Sequence, residues 1–300
     1  MQFRDLQLQD LPAVQQLADQ TESLASDASF ATMFIWKDQT HDLFCLRDGF
    51  LFRRGVADRR LRYYFPLGTG DVGAALDAIR ADAAEAGGLP EFDQLTDRQC
   101  EMLRDAGPDL PYTFTAQPNL ADYLYNASDL ASLSGKKYHA KRNFVNRFEA
   151  EYSGRFEIRP ITPDLLDAVW AFNRKWCALE GCLAGHSGVT SEACAIARAL
   201  SNFEPLGLCG LALFVDGAVT AYSLASRISG LAADVHVEKA LADVPGAYAV
   251  INRAMAQMLA PQYAYLNREE DMGLDGLRQA KQSYHPVQQL MFSTARVTAS

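Results

Sequence analysis

Residues 265–286 read YLNREEDMGLDGLRQAKQSYHP, a short β-prone run that ends in packed charge and then opens a helix. Tyr263 to Leu266 alternates like a buried strand, and Asn267, Arg268, Glu269, Glu270 and Asp271 follow without a spacer. Gly273 frees the backbone, and Leu274 begins a helix running to Tyr284. Side chains at the carboxyl end of a strand point into the crevice where α/β sheets bind ligands, so this cluster predicts a site. On the helix, Arg278, Lys281, Gln282 and His285 share one face while Leu274, Leu277 and Tyr284 occupy another. The alternative is a surface salt-bridge network, with acids at the helix start and bases towards its end.

The chain has 300 residues, 49% of them hydrophobic, which is enough for two cores of similar size. No apolar run approaches the roughly 20 residues that span a bilayer, and MQFRDLQLQD has neither a basic nor an apolar leader region, so a cytoplasmic location is expected. Six cysteines without framework spacing fit free thiols in a reducing compartment. Cys177, Cys182 and His186 offer three metal ligands without an evident fourth, and helix-interior cysteines pack as small core residues; no metal is expected. The net charge of −9 argues against broad adhesion to nucleic acid but leaves room for a local basic patch.

Two halves repeat one order of elements, which predicts an α/β (α+β) fold built from a duplicated module with mixed, largely antiparallel sheets. In the first half, a strand is expected at Phe3–Leu6, helices at 11–19 and 29–38, and strands at 41–46, 49–55 and 61–66, with a turn around Asp58. A helix over 71–87 capped by Asp71, a strand at 91–95, a short helix at 99–105 and strands at 112–115 and 122–125 complete it. The second half reads strand 156–161, helix 163–180 capped by Thr162, helix 191–203, and strands 208–215, 218–228 and 232–238 with a hairpin turn at Asp216-Gly217. Helix 247–259, strand 263–266, helix 274–284 and strand 288–294 close the repeat. The expected units are 1–128, a basic linker helix over 129–151, and 152–300, which carries the site.

The linker, DLASLSGKKYHAKRNFVNRFEAE over 129–151, concentrates Lys136, Lys137, His139, Lys141, Arg142 and Arg147 in an otherwise acidic chain. On a helix starting near Ser134, Lys137, Lys141 and Arg142 lie on one side, with Asn143 and Asn146 interleaved. Single-sign clustering of this kind points to a phosphate-bearing partner rather than a solvated linker. On the strand at 232–238, Asp234, His236 and Glu238 share one face, and an acid beside an imidazole suits proton removal from an amine or hydroxyl. A satisfied buried polar pair is the alternative there.

Strand, two helices, a three-strand meander, helix, strand, helix and strand is the order of the GNAT acyltransferase fold. The pyrophosphate turn of its acyl-CoA-using members survives only in degraded form as Asp243-Val244-Pro245-Gly246-Ala247. Leu67-Gly68-Thr69-Gly70-Asp71 holds the equivalent place in the first half, as an anion site or an N-cap turn. The strings GKKYHAKRNFVNRF, HVEKALADVPGAYAVIN and YLNREEDMGLDGLRQAKQSYHP, with SFATMFIWKD near the start, resemble the soluble C-terminal domain family of phosphatidylglycerol lysyltransferases.

That resemblance implies a tandem GNAT fold and transfer of an aminoacyl group from a charged tRNA to an amine or hydroxyl acceptor such as a lipid headgroup. Aminoacyl-tRNA would be the co-substrate and no resident cofactor is needed. On this reading Glu238 or His236 is the base, with Glu270 and Asp271 as further catalytic carboxylates. Asn267, Glu269, Glu270 and Asp271 hold an amino group, and Arg278 and Lys281 bind the phosphate or ester end of the donor. Asn252 and Tyr248 orient these groups, and Arg268 and Tyr284 complete the substrate site. Lys136, Lys137, His139, Lys141, Arg142 and Asn143 grip tRNA phosphates. The alternatives are an acyl-CoA-dependent N-acyltransferase, against which the degraded loop counts, and a non-catalytic binding module.

Overall fold

The computed structural model describes residues 1–57, 60–107, 110–179 and 187–297. The expected turn at Asp58 and the ligand candidates Cys182 and His186 lie outside them, while Cys177 is buried in a helix. In the first half the chain forms α1 (Leu11–Thr21), α2 (Phe30–Thr40), β1 (Leu43–Arg47), β2 (Phe50–Ala57), β3 (Arg60–Tyr63), β4 (Leu67–Gly68), α3 (Val72–Glu85), β5 (Glu91–Leu95), α4 (Asp97–Ala106), β6 (Tyr112–Ala116) and β7 (Asp122–Asn126). Then follow α5 (Ala127–Ser132), α6 (His139–Glu151), β8 (Phe156–Pro160), α7 (Leu166–Leu179), α8 (Ser187–Ser201), β9 (Cys209–Val215), β10 (Ala218–Arg227), β11 (Ala232–Ala240), α9 (Ala247–Leu259), β12 (Tyr265–Asn267), α10 (Asp275–Gln282), β13 (Gln288–Leu290) and β14 (Ser293–Val297).

Local chemistry sets most boundaries. Ser29 starts α2 by accepting from Thr32 N–H, and Asp71 starts α3 by accepting from Ala74 N–H. Asp216 and Gly217, with φ of 51° and 80°, make the two-residue hairpin between β9 and β10. Three expectations fail locally. Phe3–Leu6 makes one bridge, Arg4 to Phe44, because Arg4 turns its guanidinium onto Asp10 and the chain enters a 3₁₀ turn. Thr162 does not cap its helix, since its hydroxyl donates to Asp164, and a 3₁₀ turn precedes α7. The basic helix starts at His139 rather than near Ser134, after a left-handed Leu133 and Gly135 and a 3₁₀ turn over Lys136–Tyr138.

Each half carries the antiparallel meander, helix and parallel strand of the GNAT order: β1–β2–β3, α3 and β5 in one, β9–β10–β11, α9 and β12 in the other. The fold is thus a tandem GNAT fold with mixed sheets. The first sheet runs β1-β2-β3-β5-β14-β6 with β4 on β2, and the second β13-β7-β12-β11-β10-β9-β8. Two strands are exchanged. β7, ahead of the expected boundary at 128, sits between β12 and β13, and β14 sits between β5 and β6. The expected strand 288–294 is therefore two strands in two sheets. Burial explains the exchange: Asp122, Tyr123, Leu124 and Tyr125 are all buried and need a strand covered on both faces, whereas half-exposed β6 suits an edge.

The second sheet is covered on both sides. Tyr222 and Leu224 of β10 face a core built from α1, α2, α7 and α8, which also takes in Phe44 and Leu51 of the first sheet. Ala221 and Ala225 face α5, α6 and α9. Among the described residues no helix is long and apolar enough to cross a membrane.

Where α6 crosses the start of α9, Gly246 holds φ +91°, and a Cβ there would lie 2.7 Å from the Phe144 carbonyl oxygen and 3.0 Å from Phe148 Cβ. Gly246→Ala combines left-handed strain with overpacking, so it should lower unfolding stability by about 2–4 kcal/mol in urea titrations. A change within 0.5 kcal/mol, the range of an ordinary surface substitution, would show that this crossing tolerates a side chain.

Candidate active site

β11 and β12 run parallel for three residue pairs, Ala232 with Tyr265, Ala233 with Leu266 and Asp234 with Asn267. β11 then continues to Ala240, while the chain after Asn267 bends away through Glu269 at φ +55°. Beyond Asp234, β11 keeps its ladder to β10 and faces a fork on its other side. The diverging arm is pinned from α10. The Lys281 ammonium donates to the main-chain carbonyls of Arg268, Glu269 and Glu270, which uses all three of its protons. One turn earlier Arg278 grips Asp271 through Nε and Nη2, and Tyr123 Oη and Gly273 N–H also donate to that carboxylate. The Arg278 hydrogen bonds hold the Asp271 carboxyl well below the usual carboxylate range.

The fork contains a buried charged cluster. Arg268 Nε lies 2.7 Å from Glu238 Oε2, and Asn252 Nδ2 donates to Glu238 Oε1 at 3.0 Å. The guanidinium lies 4.9 Å from the Tyr284 ring centre and 5.4 Å from that of Tyr125. Lys141 descends from α6 with its Nζ 3.8 Å from the centre of the same Tyr284 ring. Burial pushes the Lys141 amine down to about 8, with the Arg268 charge adding and Glu238 opposing. Three buried polar atoms here make no hydrogen bond: Asn252 Oδ1, Arg268 Nη1 and Arg268 Nε, the last held to Glu238 as an ion pair outside hydrogen-bond geometry, so that Nη1 and Oδ1 are left unspent. A donor and an acceptor thus flank one carboxylate.

A second network sits where α2 meets the sheet. His236 contacts Glu269 Oε1 at 3.2 Å and Asp234 Oδ2 at 3.4 Å through Nδ1, and Ser226 Oγ at 2.8 Å through Nε2. Asp234 also accepts from Thr32 Oγ1 at 2.8 Å. Burial, then Glu269 and Asp122, raises the Asp234 carboxyl well above the usual range. Asp122 accepts from Ser26 N–H, Ser26 Oγ and Asn267 Nδ2, yet burial pushes it up to about 7. Burial, reinforced by Glu269, raises Glu270 as well.

The expected site residues therefore divide. Glu238, Arg268, Asn252 and Tyr284 meet at the fork, and Lys141, expected among the tRNA contacts, joins them. His236 and Glu269 lie in the second network. Asn267, Lys281, Arg278 and Asp271 shape the diverging arm: their polar groups are committed to protein partners, so donor binding by Arg278 and Lys281 does not fit this arrangement. α10 also inverts the expected faces, burying Lys281 and exposing Leu274 and Leu277. Tyr248 is exposed on α9. In the basic segment Lys136 and His139 are exposed, His139 pairs with Asn143, Lys137 pairs with Asp129, and Arg142 donates to the Leu133 and Gly135 carbonyls. None of these residues lines the cavity of about 810 Å³ that is bordered by residues of both sheets. Asp27, Arg53, Tyr64, Met33, Met102 and Gln288 are among its walls. Sequence reasoning missed Tyr125, Asp122 and Ser226, whose types carry no motif; the run DYLYN, an acid among apolar residues, was the available signal for the first two.

The sequence model of one family, described as Phosphatidylglycerol lysyltransferase, C-terminal, matches residues 19–295. A conserved protein of unknown function from Bacteroides thetaiotaomicron is 36% identical, with 99% of each chain covered and a TM-score of 0.94. The C-terminal domain of a chain assigned as a lysylphosphatidylglycerol synthetase from Agrobacterium fabrum shares the fold at 16% identity, with a TM-score of 0.69 over 97% of this chain and 92% of that one. L-PGS from Bacillus licheniformis does so at 15% identity, with a TM-score of 0.63 over 89% and 92%. No curated protein matches the chain.

Asp122 yields a pH prediction. Its carboxyl is raised in the fold, so the native state holds a proton that the unfolded chain releases, and stability falls as pH rises from the ordinary carboxylate range through about 7. Asp122→Asn retains acceptors for the Ser26 and Asn267 amides and can donate to Ser26 Oγ. Its denaturation midpoint should change less than that of the wild type between pH 5 and pH 8. An equal change in both proteins would assign the pH dependence to other groups.

Proposed function

Because the chain belongs to the phosphatidylglycerol lysyltransferase C-terminal family, we propose that it transfers an aminoacyl group from aminoacyl-tRNA to an amine or hydroxyl acceptor at the fork between β11 and β12. The observation that carries this reading is the pair of unspent buried atoms, Arg268 Nη1 and Asn252 Oδ1, on either side of Glu238. An aminoacyl ester presents a carbonyl that needs a donor and an α-ammonium that needs acceptors, so it complements both. Neither burial nor pairing makes such atoms cheap to leave unsatisfied, and a ligand that completes them gains the cost they otherwise impose.

In the proposed reaction the acceptor nitrogen or oxygen attacks the ester carbonyl, a bond from acceptor to carbonyl carbon forms, and the bond to the ribose oxygen breaks. Arg268 Nη1 and main-chain N–H groups on the fork side of β11 receive the charge that develops on the carbonyl oxygen. Glu238 and Asn252 Oδ1 hold the α-ammonium. Lys141, with its amine near 8, exists partly unprotonated close to neutrality and takes the acceptor's proton, and the departing ribose oxygen is protonated in turn. Lys141 lies on α6 just after the 3₁₀ turn that exposes Lys136 and Lys137, so one segment would offer basic charge to a polyphosphate and a base to the fork. The start of α9 is less suited to a CoA pyrophosphate: Ala247 N–H bonds to Val244 O, and Gly246 packs on α6.

The test is incubation with a pool of radiolabelled aminoacyl-tRNAs and cell extract. Label should leave tRNA for an acceptor, with Arg268→Lys and Glu238→Gln slower by roughly 100-fold or more. The rate should climb with pH through about 8, and Lys141→Met should lose that limb. No label movement from any tRNA, or an unimpaired Arg268→Lys enzyme, rejects the proposal.

Binding of tRNA is tested separately. Lys136→Ala/Lys137→Ala should weaken filter binding of all tRNAs alike and flatten its dependence on salt, because phosphate contacts release counterions without reading bases. Undetectable tRNA binding by the wild type at low salt would discard the tRNA donor.

A further inference from the structure

We propose that Asp234, His236 and Glu269 form a binding site for one divalent first-row metal ion, held by the Asp234 carboxylate, His236 Nδ1 and Glu269 Oε1. One ligand atom from each lies within 4.8 Å of the others. The 3.2 Å and 3.4 Å edges from Nδ1 to the two carboxylates are those expected of ligands about 2.1 Å from a shared ion at roughly 100°. Two strands supply them where a parallel pairing ends: Asp234 and His236 project from one face of β11, and Glu269 follows β12.

Hydrogen bonding alone leaves this cluster short of donors. Nδ1 carries at most one proton for two carboxylates, and Asp234, with no exposed surface, has an Oδ1 without a partner. Asp122 and Glu270 add negative charge around it, as the upward shift of Asp234 registers. The nearest cations are committed, Lys281 to three carbonyls and Arg268 to Glu238. A divalent ion would satisfy both carboxylates. The surroundings have the form that metal sites use to orient histidine: with Nδ1 on the ion, Nε2–H donates to Ser226 Oγ, and Ser226 lies 3.1 Å from Ser29 Oγ. Thr32 Oγ1 braces Asp234, so the site would tie α2 to β11 and β12. Glu269, 19% exposed at its side chain, provides the way in. Nothing in this inference depends on the transferase reading.

Mn(II) is the probe of choice, because oxygen and imidazole ligands suit it and the chain's thiols do not compete for it. The whole chain, stripped with EDTA and dialysed, should bind about one Mn(II) by calorimetry, and its melting midpoint should rise with Mn(II) concentration. His236→Gln and Glu269→Gln should each weaken binding more than roughly tenfold, and Ser226→Ala by roughly tenfold. Glu269 lies at the margin of the cluster, so its variant keeps the test decisive if His236→Gln does not fold. Wild-type stoichiometry far below one, or equal binding by wild type and Glu269→Gln, overturns the proposal.

Discussion

The Lys281 ammonium sets the shape of the site. A lysine at this depth is costly unless its protons are taken, and three consecutive carbonyls of the arm after β12 take them. In binding Arg268, Glu269 and Glu270 through the main chain, it prevents the arm from continuing along β11 as a longer parallel strand. The side chains of that arm are thereby free to reach back across the gap, Arg268 to Glu238 and Glu269 to His236. One buried cation on α10 thus creates both the fork and the two networks beside it, and the arrangement of Arg278 on Asp271 repeats the device one turn away.

The same economy of position governs the interface of the halves. Asp122 arrives on an exchanged strand, is bound by Ser26 from the first half and by Asn267 from the second, and Asn267 Nδ2 also reaches the Leu24 carbonyl. Burial, reinforced by the neighbouring acids, shifts Asp122, Asp234 and Glu270 upward, while Asp271 close by is driven down by its arginine. The site region is an acidic layer confined by committed cations, and the fork is where atoms of Arg268 and Asn252 remain without hydrogen-bond partners.

Periodicity and caps made the order of elements legible: the two meanders, the Asp216-Gly217 hairpin and α9 follow directly from residue pattern. Sheet membership was not legible, because alternation reports which face a residue takes and not which strand lies beside it. DYLYN and QQLMFSTARV read as strands of their own halves, and only the demand of four consecutive buried residues for a covered strand places β7 elsewhere. In the site, Glu238, Arg268 and Asn252 were recognisable as polar residues on inward faces. The helical stripe Arg278, Lys281, Gln282 and His285 misled, since a helix wheel cannot distinguish a solvated lysine from one whose ammonium closes a loop. Lys141 was read for its charge alone, and only packing against Tyr284 reveals that burial suppresses that charge.

The exchanged strands also govern how the molecule assembles. The first sheet is complete only when β14, residues 293–297, has entered between β5 and β6, and the second requires β7 from before residue 128. On a ribosome, neither sheet can close until nearly all the residues described have emerged, so the early half must wait with a vacant slot in its middle. Contacts separated by roughly 140 to 200 residues of chain make for slow ordering and a long exposure of strand edges to other chains. The expected compensation is cooperativity: once β14 seats, the two sheets lock together, and partial unfolding of one half alone would break pairings in both.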